Sequence, residues 1–156
     1  MQIYMQGEEI AGEAQRLWEE ARGIAHPYNP DWKNDREYLL KIHSVAKLGH
    51  LEAMAKLGEY AFRRRMIVEA YYWMACAELK GATGLEPKLR EIKMSWMRNG
   101  CPTEYGNVHD EFTEVQGSFT RALLRIRCAV KAPMGRARMK KLAEQGCDEA
   151  LLYLSR

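Results

Sequence analysis

Cysteine and histidine are the residue types in this sequence with the widest chemical range. The four cysteines lie 25, 27 and 19 positions apart and the four histidines are equally scattered: Cys76, Cys101, Cys128 and Cys147, with His26, His43, His50 and His109. Zinc sites normally use closely spaced pairs of such ligands. We therefore predict no metal site and interpret the cysteines as thiols that pack as small hydrophobic side chains.

Signatures of catalysis are also missing from the sequence. Cys101, His109 and Asp110 have the side chains of a nucleophile, a base and its carboxylate, but closeness in sequence does not establish catalytic geometry. The stretch GATG, from Gly81 to Gly84, lacks the Lys-Ser/Thr of a phosphate-binding loop, and no Gly-x-Ser-x-Gly occurs. We predict that the chain is not an enzyme and uses no cofactor.

Three consecutive arginines form the densest cationic stretch, Arg63, Arg64 and Arg65. One interpretation is that they end a helix, where cations are favoured by the helix dipole and can bond the last carbonyl groups. The other is that they form a cationic knob that contacts acidic groups of a partner.

A second basic segment, 121–141, contains no acidic residue and carries eight cations: Arg121, Arg125, Arg127, Lys131, Arg136, Arg138, Lys140 and Lys141. The preceding residues 99–120 carry only acidic charges. The two segments either neutralise each other, or the cations solvate an outer face, or they bind an acidic partner or a phosphate backbone. Helical spacing predicts that Arg121 and Arg125 project into solvent on one side of a helix.

Composition limits the fold and the location. The 156 residues are 47% hydrophobic and 29% charged with a net charge of +3, which is typical of one globular domain, 1–156. No run approaches the roughly 20 apolar residues of a membrane span, and the N-terminus lacks the pattern of a secretory signal. We predict a cytoplasmic protein without a membrane partner.

Helical periodicity recurs along nearly the whole chain, and no segment alternates as a half-buried strand does. Apolar residues three and four apart predict amphipathic helices over about 8–23, 50–64 and 86–99. Another is predicted from a cap at Asn34 or Asp35 to Gly49, one more carries Met139 and Leu142 up to Gly146, and 149–154 closes the chain. The segment 67–80 is apolar nearly all round and is predicted to be buried. We predict a helix from about Phe119 to Val130 that ends before Pro133 and Gly135, with 100–117 as a loop containing a short turn.

Aromatic residues on the apolar faces are predicted to be core, including Trp18, Trp73 and Trp96. Tyr71 and Tyr72 flank Trp73, and one of them is expected to reach a concave groove, because a helix offers one position per turn for each direction. Tyr60 and Tyr71 are the tyrosines that we assign to this groove.

Small residues repeat at fixed distances from three glycines. At offsets of four and eight, Gly49 is followed by Ala53 and Leu57, Gly146 by Ala150 and Leu154, and Gly81 by Leu85 and Leu89. A glycine can end one helix, an alanine four residues later lets the next helix approach closely, and a large apolar residue fills the space between them. Such pairs bury their faces only by stacking.

These residues resemble the Sel-one-like repeats, relatives of the tetratricopeptide repeats. Gly49, Ala53, Leu57 and Gly58 match the first helix of that pattern, and Ala70, Trp73, Ala77 and Gly81 match the second. The best repeat is 46–81, and 142–154 resembles part of another. Ala61 stands where the family has tyrosine, and the family's glycine-rich turn is replaced by Arg63-Arg64-Arg65-Met66.

The resemblance implies an all-α fold, a short right-handed α/α solenoid of about seven or eight helices stacked as antiparallel pairs. It also implies a non-catalytic protein-interaction module, an adaptor or inhibitor of bacterial or viral type. We expect a partner with an acidic surface, bound by the groove and by Arg63, Arg64, Arg65, Arg121 and Arg125. The alternative is a nucleic-acid-associated helical protein that uses 121–141.

Overall fold

The computed structural model describes residues 7–24, 36–102, 112–128 and 131–156. Within these ranges the chain is all-α and contains no strand, as predicted. Eight helices follow one another: α1 (Gly7–Ile24), α2 (Arg36–Lys47), α3 (Leu51–Arg63), α4 (Ile67–Leu79), α5 (Glu86–Arg98), α6 (Glu114–Ile126), α7 (Ala132–Glu144) and α8 (Asp148–Leu154). In this part of the chain, no helix is both long enough and apolar enough to span a membrane.

The helices pack mainly against their neighbours in sequence, as in a short helical solenoid. The α3–α4 and α6–α7 pairs have the most extensive contacts, and both α5 and α6 pack on α4. Every residue of α4 from Val68 to Ala77 is buried, which confirms the burial predicted from its apolar sequence. Ala53 and Ala77 are fully buried, consistent with the close approach predicted at small residues.

The last helix also contacts the middle of the chain. The Tyr72 hydroxyl on α4 donates to Glu149 Oε2 on α8 at 2.6 Å, and the Cys147 thiol lies 3.7 Å from Glu149 Oε1. Gln116 Nε2 on α6 donates to the same Tyr72 oxygen at 3.0 Å. One buried tyrosine therefore joins α4, α6 and α8.

Five helices end in the same turn, in which the residue after the C-cap has positive φ. The next residue's N–H then bonds a carbonyl five positions back, as in His50 to Val45 (3.4 Å) and Met66 to Ala61 (2.9 Å). Four of these turns use glycine at the positive-φ position and α3 uses arginine: Gly49 (φ 87°), Arg65 (φ 62°), Gly81 (φ 107°), Gly100 (φ 84°) and Gly146 (φ 87°).

The predicted bounds of the sixth helix are wrong at both ends. α6 begins at Glu114, inside the predicted loop, because Thr113 and Gln116 form a capping box. It ends at Ile126, and Pro133 and Gly135 lie inside α7. Proline is favoured in the first helical turn, and Gly135 lets α7 approach the α6 backbone, so neither residue ends a helix here. Val130 and the predicted caps Asn34 and Asp35 lie outside the described residues.

His50 caps the start of α3 with a neutral imidazole. Its Nδ1 accepts a hydrogen bond from the Ala53 backbone N–H (3.2 Å), so Nε2 carries the proton and donates to Gln15 Oε1 at 2.9 Å. The ring packs 5.2 Å from the Trp18 ring between centroids. Burial lowers the pKa of His50, and the Glu52 carboxylate opposes this less strongly.

We expect the pH dependence of stability to reflect this cap. Because the folded pKa of His50 lies below the unfolded value of about 6.5, its contribution is complete above that pH. The contribution is lost as the pH falls from there through the folded pKa. His50→Asn should keep the cap but remove this titration, whereas His50→Ala should cost about 1 kcal/mol at neutral pH.

Urea unfolding of both variants and the wild type between pH 5 and 8 measures these effects. The other histidines are the same in all three proteins, so their contributions cancel in the difference. An His50→Asn variant that loses stability toward acid as steeply as the wild type would contradict the assignment.

Candidate functional site

The first candidate site is a cleft between the α3–α4 turn and the C-terminal half of α5. It has a volume of about 450 Å³ and is lined by Phe62, Arg63, Arg65, Ile67, Ser95 and Asn99. We call it the arginine cleft. Two of the three predicted arginines thus share a concave surface with polar side chains from another helix. The Asn99 side-chain amide is held by a 2.7 Å hydrogen bond to the Ser95 carbonyl.

Arg65 adopts a backbone conformation that disfavours it. At φ 62° its Cβ crowds the backbone, which costs a non-glycine residue roughly 1–2 kcal/mol. The equivalent position in the other four turns is glycine. Strained residues of this kind are concentrated at functional sites. The residue with the strained backbone is therefore one whose side chain lines the arginine cleft.

Arg64 and Tyr60 lie apart from the arginine cleft. The Arg64 guanidinium carbon is 5.9 Å from the centroid of the Tyr60 ring. Tyr60 itself is only 6% exposed, because it lies on the same buried face of α3 as Leu57 and Ala61. Tyr60 lines neither of the two clefts described here, and its place in a partner-binding groove stays a prediction.

The second candidate site lies on the other side of α5, where α4 and the end of α6 meet it. This cleft has a volume of about 360 Å³ and is lined by Tyr71, Glu78, Glu86, Leu89, Arg90, Lys93 and Arg127. We call it the Tyr71 cleft. It agrees with the expectation that a tyrosine beside Trp73 reaches a concave surface, although the Tyr71 side chain is otherwise deeply buried.

Arg127 is the centre of the Tyr71 cleft. Its Nη1 donates to the Tyr71 hydroxyl oxygen at 2.6 Å and its Nη2 to Glu78 Oε1 at 2.9 Å. Lys93 Nζ donates to the Arg127 carbonyl oxygen at 3.1 Å. The sequence shows Arg127 only as one of eight cations. No local signal could distinguish it, since Tyr71 and Glu78 lie 56 and 49 positions away.

The charges of this cluster are fixed by burial and contact. Burial raises the pKa of Tyr71 more than the neighbouring Arg127 lowers it, so the phenol stays protonated at neutral pH. Burial lowers the pKa of Arg127, but contact with Tyr71 and Glu78 raises the pKa by more than burial lowers it, so the net shift is upward. The cluster therefore presents a neutral phenol beside a permanent cation.

Arg121 and Arg125 do not project freely into solvent, contrary to the prediction. The Arg121 side chain is 18% exposed, donates to Ser118 Oγ at 3.3 Å and lies 3.9 Å from Glu114. Arg125 is half-buried. The reason is that α6 packs on both α4 and α7, which leaves it little open surface. Neither arginine lines the two clefts.

The remaining cations of the basic segment are Lys131, the half-buried N-cap of α7, and four residues on α7 itself. Its four outer cations are exposed and make no ion pair within the described residues: Arg136, Arg138, Lys140 and Lys141. The predicted basic segment is therefore divided, with Arg121 and Arg127 in contact with carboxylates and the α7 cations facing solvent.

The cysteines occupy the positions expected of packed thiols. Cys76, Cys128 and Cys147 are buried and Cys101 is half-buried, all without a disulfide. Burial raises the pKa of Cys76 to about 12. In the part of the chain that the structure describes, no three metal-binding side chains come together. His109 and Asp110 lie outside that part.

No family model, curated protein or solved structure matches this chain. The resemblance to the Sel-one-like repeats therefore rests on the sequence motifs themselves.

Proposed function

We propose that the chain is a non-catalytic protein-interaction module, and that its arginine cleft holds a carboxylate of an acidic partner. The observation that carries this proposal is the positive φ of Arg65 at a position where four other turns have glycine. Retaining arginine there opposes stability, so a role for its side chain in binding is the simplest reason for it.

The lining of the cleft indicates the kind of segment that fits. Arg63 and Arg65 can donate to a carboxylate, and charge-assisted bonds to arginine are stronger than neutral ones. Phe62 and Ile67 add apolar surface beside them. We therefore propose a partner segment in which Asp or Glu stands next to a large apolar side chain.

The fold and the repeat motifs support the same kind of role. A helical solenoid offers extended surfaces for partners, and the proposed kinship with Sel-one-like repeats favours an adaptor or inhibitor of bacterial or viral type acting in the cytoplasm. Fold alone does not establish function, so the proposal rests chiefly on the cleft.

Arg65→Gly should separate stability from binding. Relief of the positive φ is expected to raise the free energy of unfolding by about 1 kcal/mol. Loss of the guanidinium should weaken binding of an acidic partner about tenfold. Urea unfolding measures the first effect. Fluorescence anisotropy with labelled peptides that alternate Glu with Leu or Phe measures the second.

Arg64→Gln is the matched control, because it removes the same charge from a side chain outside the cleft. Peptides in which Gln replaces Glu should bind neither the wild type nor the variants. The proposal fails if Arg65→Gly retains wild-type affinity, or if Arg64→Gln weakens binding by as much.

The exposed cations of α7 favour a second candidate, a nucleic-acid-associated protein using 121–141. Binding to random duplex DNA whose affinity falls steeply with salt would support it. It has less support than the first, because Arg121 and Arg127 already contact carboxylates. Divided cations cannot all meet one phosphate backbone.

A further inference from the structure

The Tyr71 cleft contains more N–H and O–H donors than are bonded to acceptors within it. Tyr71 accepts from Arg127, and its own hydroxyl hydrogen has no acceptor among the described residues. Arg127 uses two of its five N–H groups on side chains, and Lys93 uses one of three. Arg90 makes no hydrogen bond or ion pair within the same residues and lies at the exposed edge.

We infer that the Tyr71 cleft binds the oxyanion group of a small organic molecule, a carboxylate or a phosphate. The phenol of Tyr71, the guanidinium of Arg127 and the ammonium of Lys93 donate to it. This inference does not depend on the arginine cleft or on a protein partner.

The receptor is arranged before any ligand enters. Tyr71 is 1% exposed, so packing fixes its ring and the position of its hydroxyl oxygen. Arg127 is held on one side by Tyr71 and on the other by Glu78, and its guanidinium carbon lies 5.7 Å from the Tyr71 ring centroid. Donors already fixed in place lose little conformational freedom on binding, which favours affinity.

The two carboxylates of the cleft limit the charge of the ligand. Glu78 and Glu86 face the same space as the cations, so the cleft carries three positive and two negative side chains. A polyanion would be repelled by the carboxylates. A ligand with one oxyanion and a neutral or cationic remainder fits better, since Glu86 at the exposed edge can accept from a hydroxyl or ammonium group.

The size of the cleft also fits a small molecule. Its volume of about 360 Å³ lies at the lower end of the range of ligand pockets, roughly 300–1,000 Å³. A segment of folded protein would not enter it, whereas a molecule of the size of an amino acid would.

Titration of the full chain tests the inference, with sodium phosphate, sodium acetate and glycine as separate probes and chloride holding the ionic strength constant. Backbone and arginine side-chain NMR shifts should saturate at Lys93 and Arg127 for at least one probe. Saturation by phosphate identifies a phosphoryl group, and saturation by acetate or glycine identifies a carboxylate.

Three variants and one control distinguish a specific site from a nonspecific cluster of cations, because each is expected to change the dissociation constant in a stated direction or not at all. Tyr71→Phe and Lys93→Gln should each raise the dissociation constant about tenfold, the usual effect of one bond to a charged group. Glu78→Gln should lower it several-fold, because it removes a repelling charge while the glutamine side-chain oxygen can still accept from Arg127 and hold it in place. Lys140→Gln, an equal charge loss on exposed α7, should leave it unchanged.

The inference is overturned if no probe saturates, or if Lys140→Gln weakens binding as much as Lys93→Gln. It is also overturned if Glu78→Gln weakens binding in a variant whose NMR spectrum remains that of the folded chain. Should Tyr71→Phe fail to fold, Lys93→Gln and Glu78→Gln carry the test with opposite expected signs.

Discussion

Replacing Gly135 by alanine is expected to destabilise the chain by about 3 kcal/mol, the upper end of the usual cost of overpacking. An added Cβ would lie 2.6 Å from the Ala122 carbonyl oxygen and 2.6 Å from the Ile126 backbone nitrogen. Both atoms belong to the α6 backbone, which cannot move aside as a flexible side chain can. The α6–α7 contact must therefore open.

Gly12→Ala is the matched control for this variant. Gly12 lies in α1, and an added Cβ there meets no atom within 4 Å. Alanine in a helix is favoured over glycine, so this variant should gain about 0.5–1 kcal/mol. Urea unfolding compares the two. Equal and small effects at both positions would show that α6 and α7 are not packed this closely.

Replacing Trp96 by alanine should cost about 4 kcal/mol, as expected for removing a fully buried large aromatic side chain. Trp96 is 0% exposed, and its indole N–H donates to the Pro102 carbonyl oxygen at 3.2 Å. With Leu89 and Ile92 it forms the buried face of α5. Since α5 forms a wall of both clefts, the variant should also lose binding at both.

Met94→Ala provides the comparison on the same helix. Met94 is 44% exposed, and substitutions at such positions usually change stability by less than about 0.5 kcal/mol. Thermal unfolding followed by far-UV circular dichroism measures both variants. If Trp96→Ala has the same melting temperature as Met94→Ala, the position of α5 does not depend on its buried face.

The sequence was sufficient for features that depend on nearby residues. The glycines at 49, 81 and 146 end helices because a positive φ is needed at one position, which is visible in the residue type. The burial of α4 follows from the lack of charge around the helix. Arg63 to Arg65 were predicted at a helix end, and they lie there.

Features that depend on distant contacts could not be predicted from the sequence. Tyr60 and Tyr71 look equivalent as aromatic residues on apolar faces, and the cleft beside Tyr71 exists because α5 and the end of α6 meet α4 there. The periodicity of α6 alone predicts an exposed Arg121, but α6 lies against both α4 and α7, and that packing covers the side chain. The role of Arg127 requires two partners from α4, which only the folded chain brings together.

The hydrogen bond between Tyr72 and Glu149 has a consequence for folding. In a chain whose helices contact only their neighbours, the ends can fray without disturbing the middle. Here the bond closes a loop of 77 positions, and Gln116 shares the same hydroxyl group. Forming this bond costs loop-closure entropy, and contacts within a single helix pair close much shorter loops and cost less. The helices from α4 to α8 should therefore open together, as one cooperative unit, in native-state hydrogen exchange.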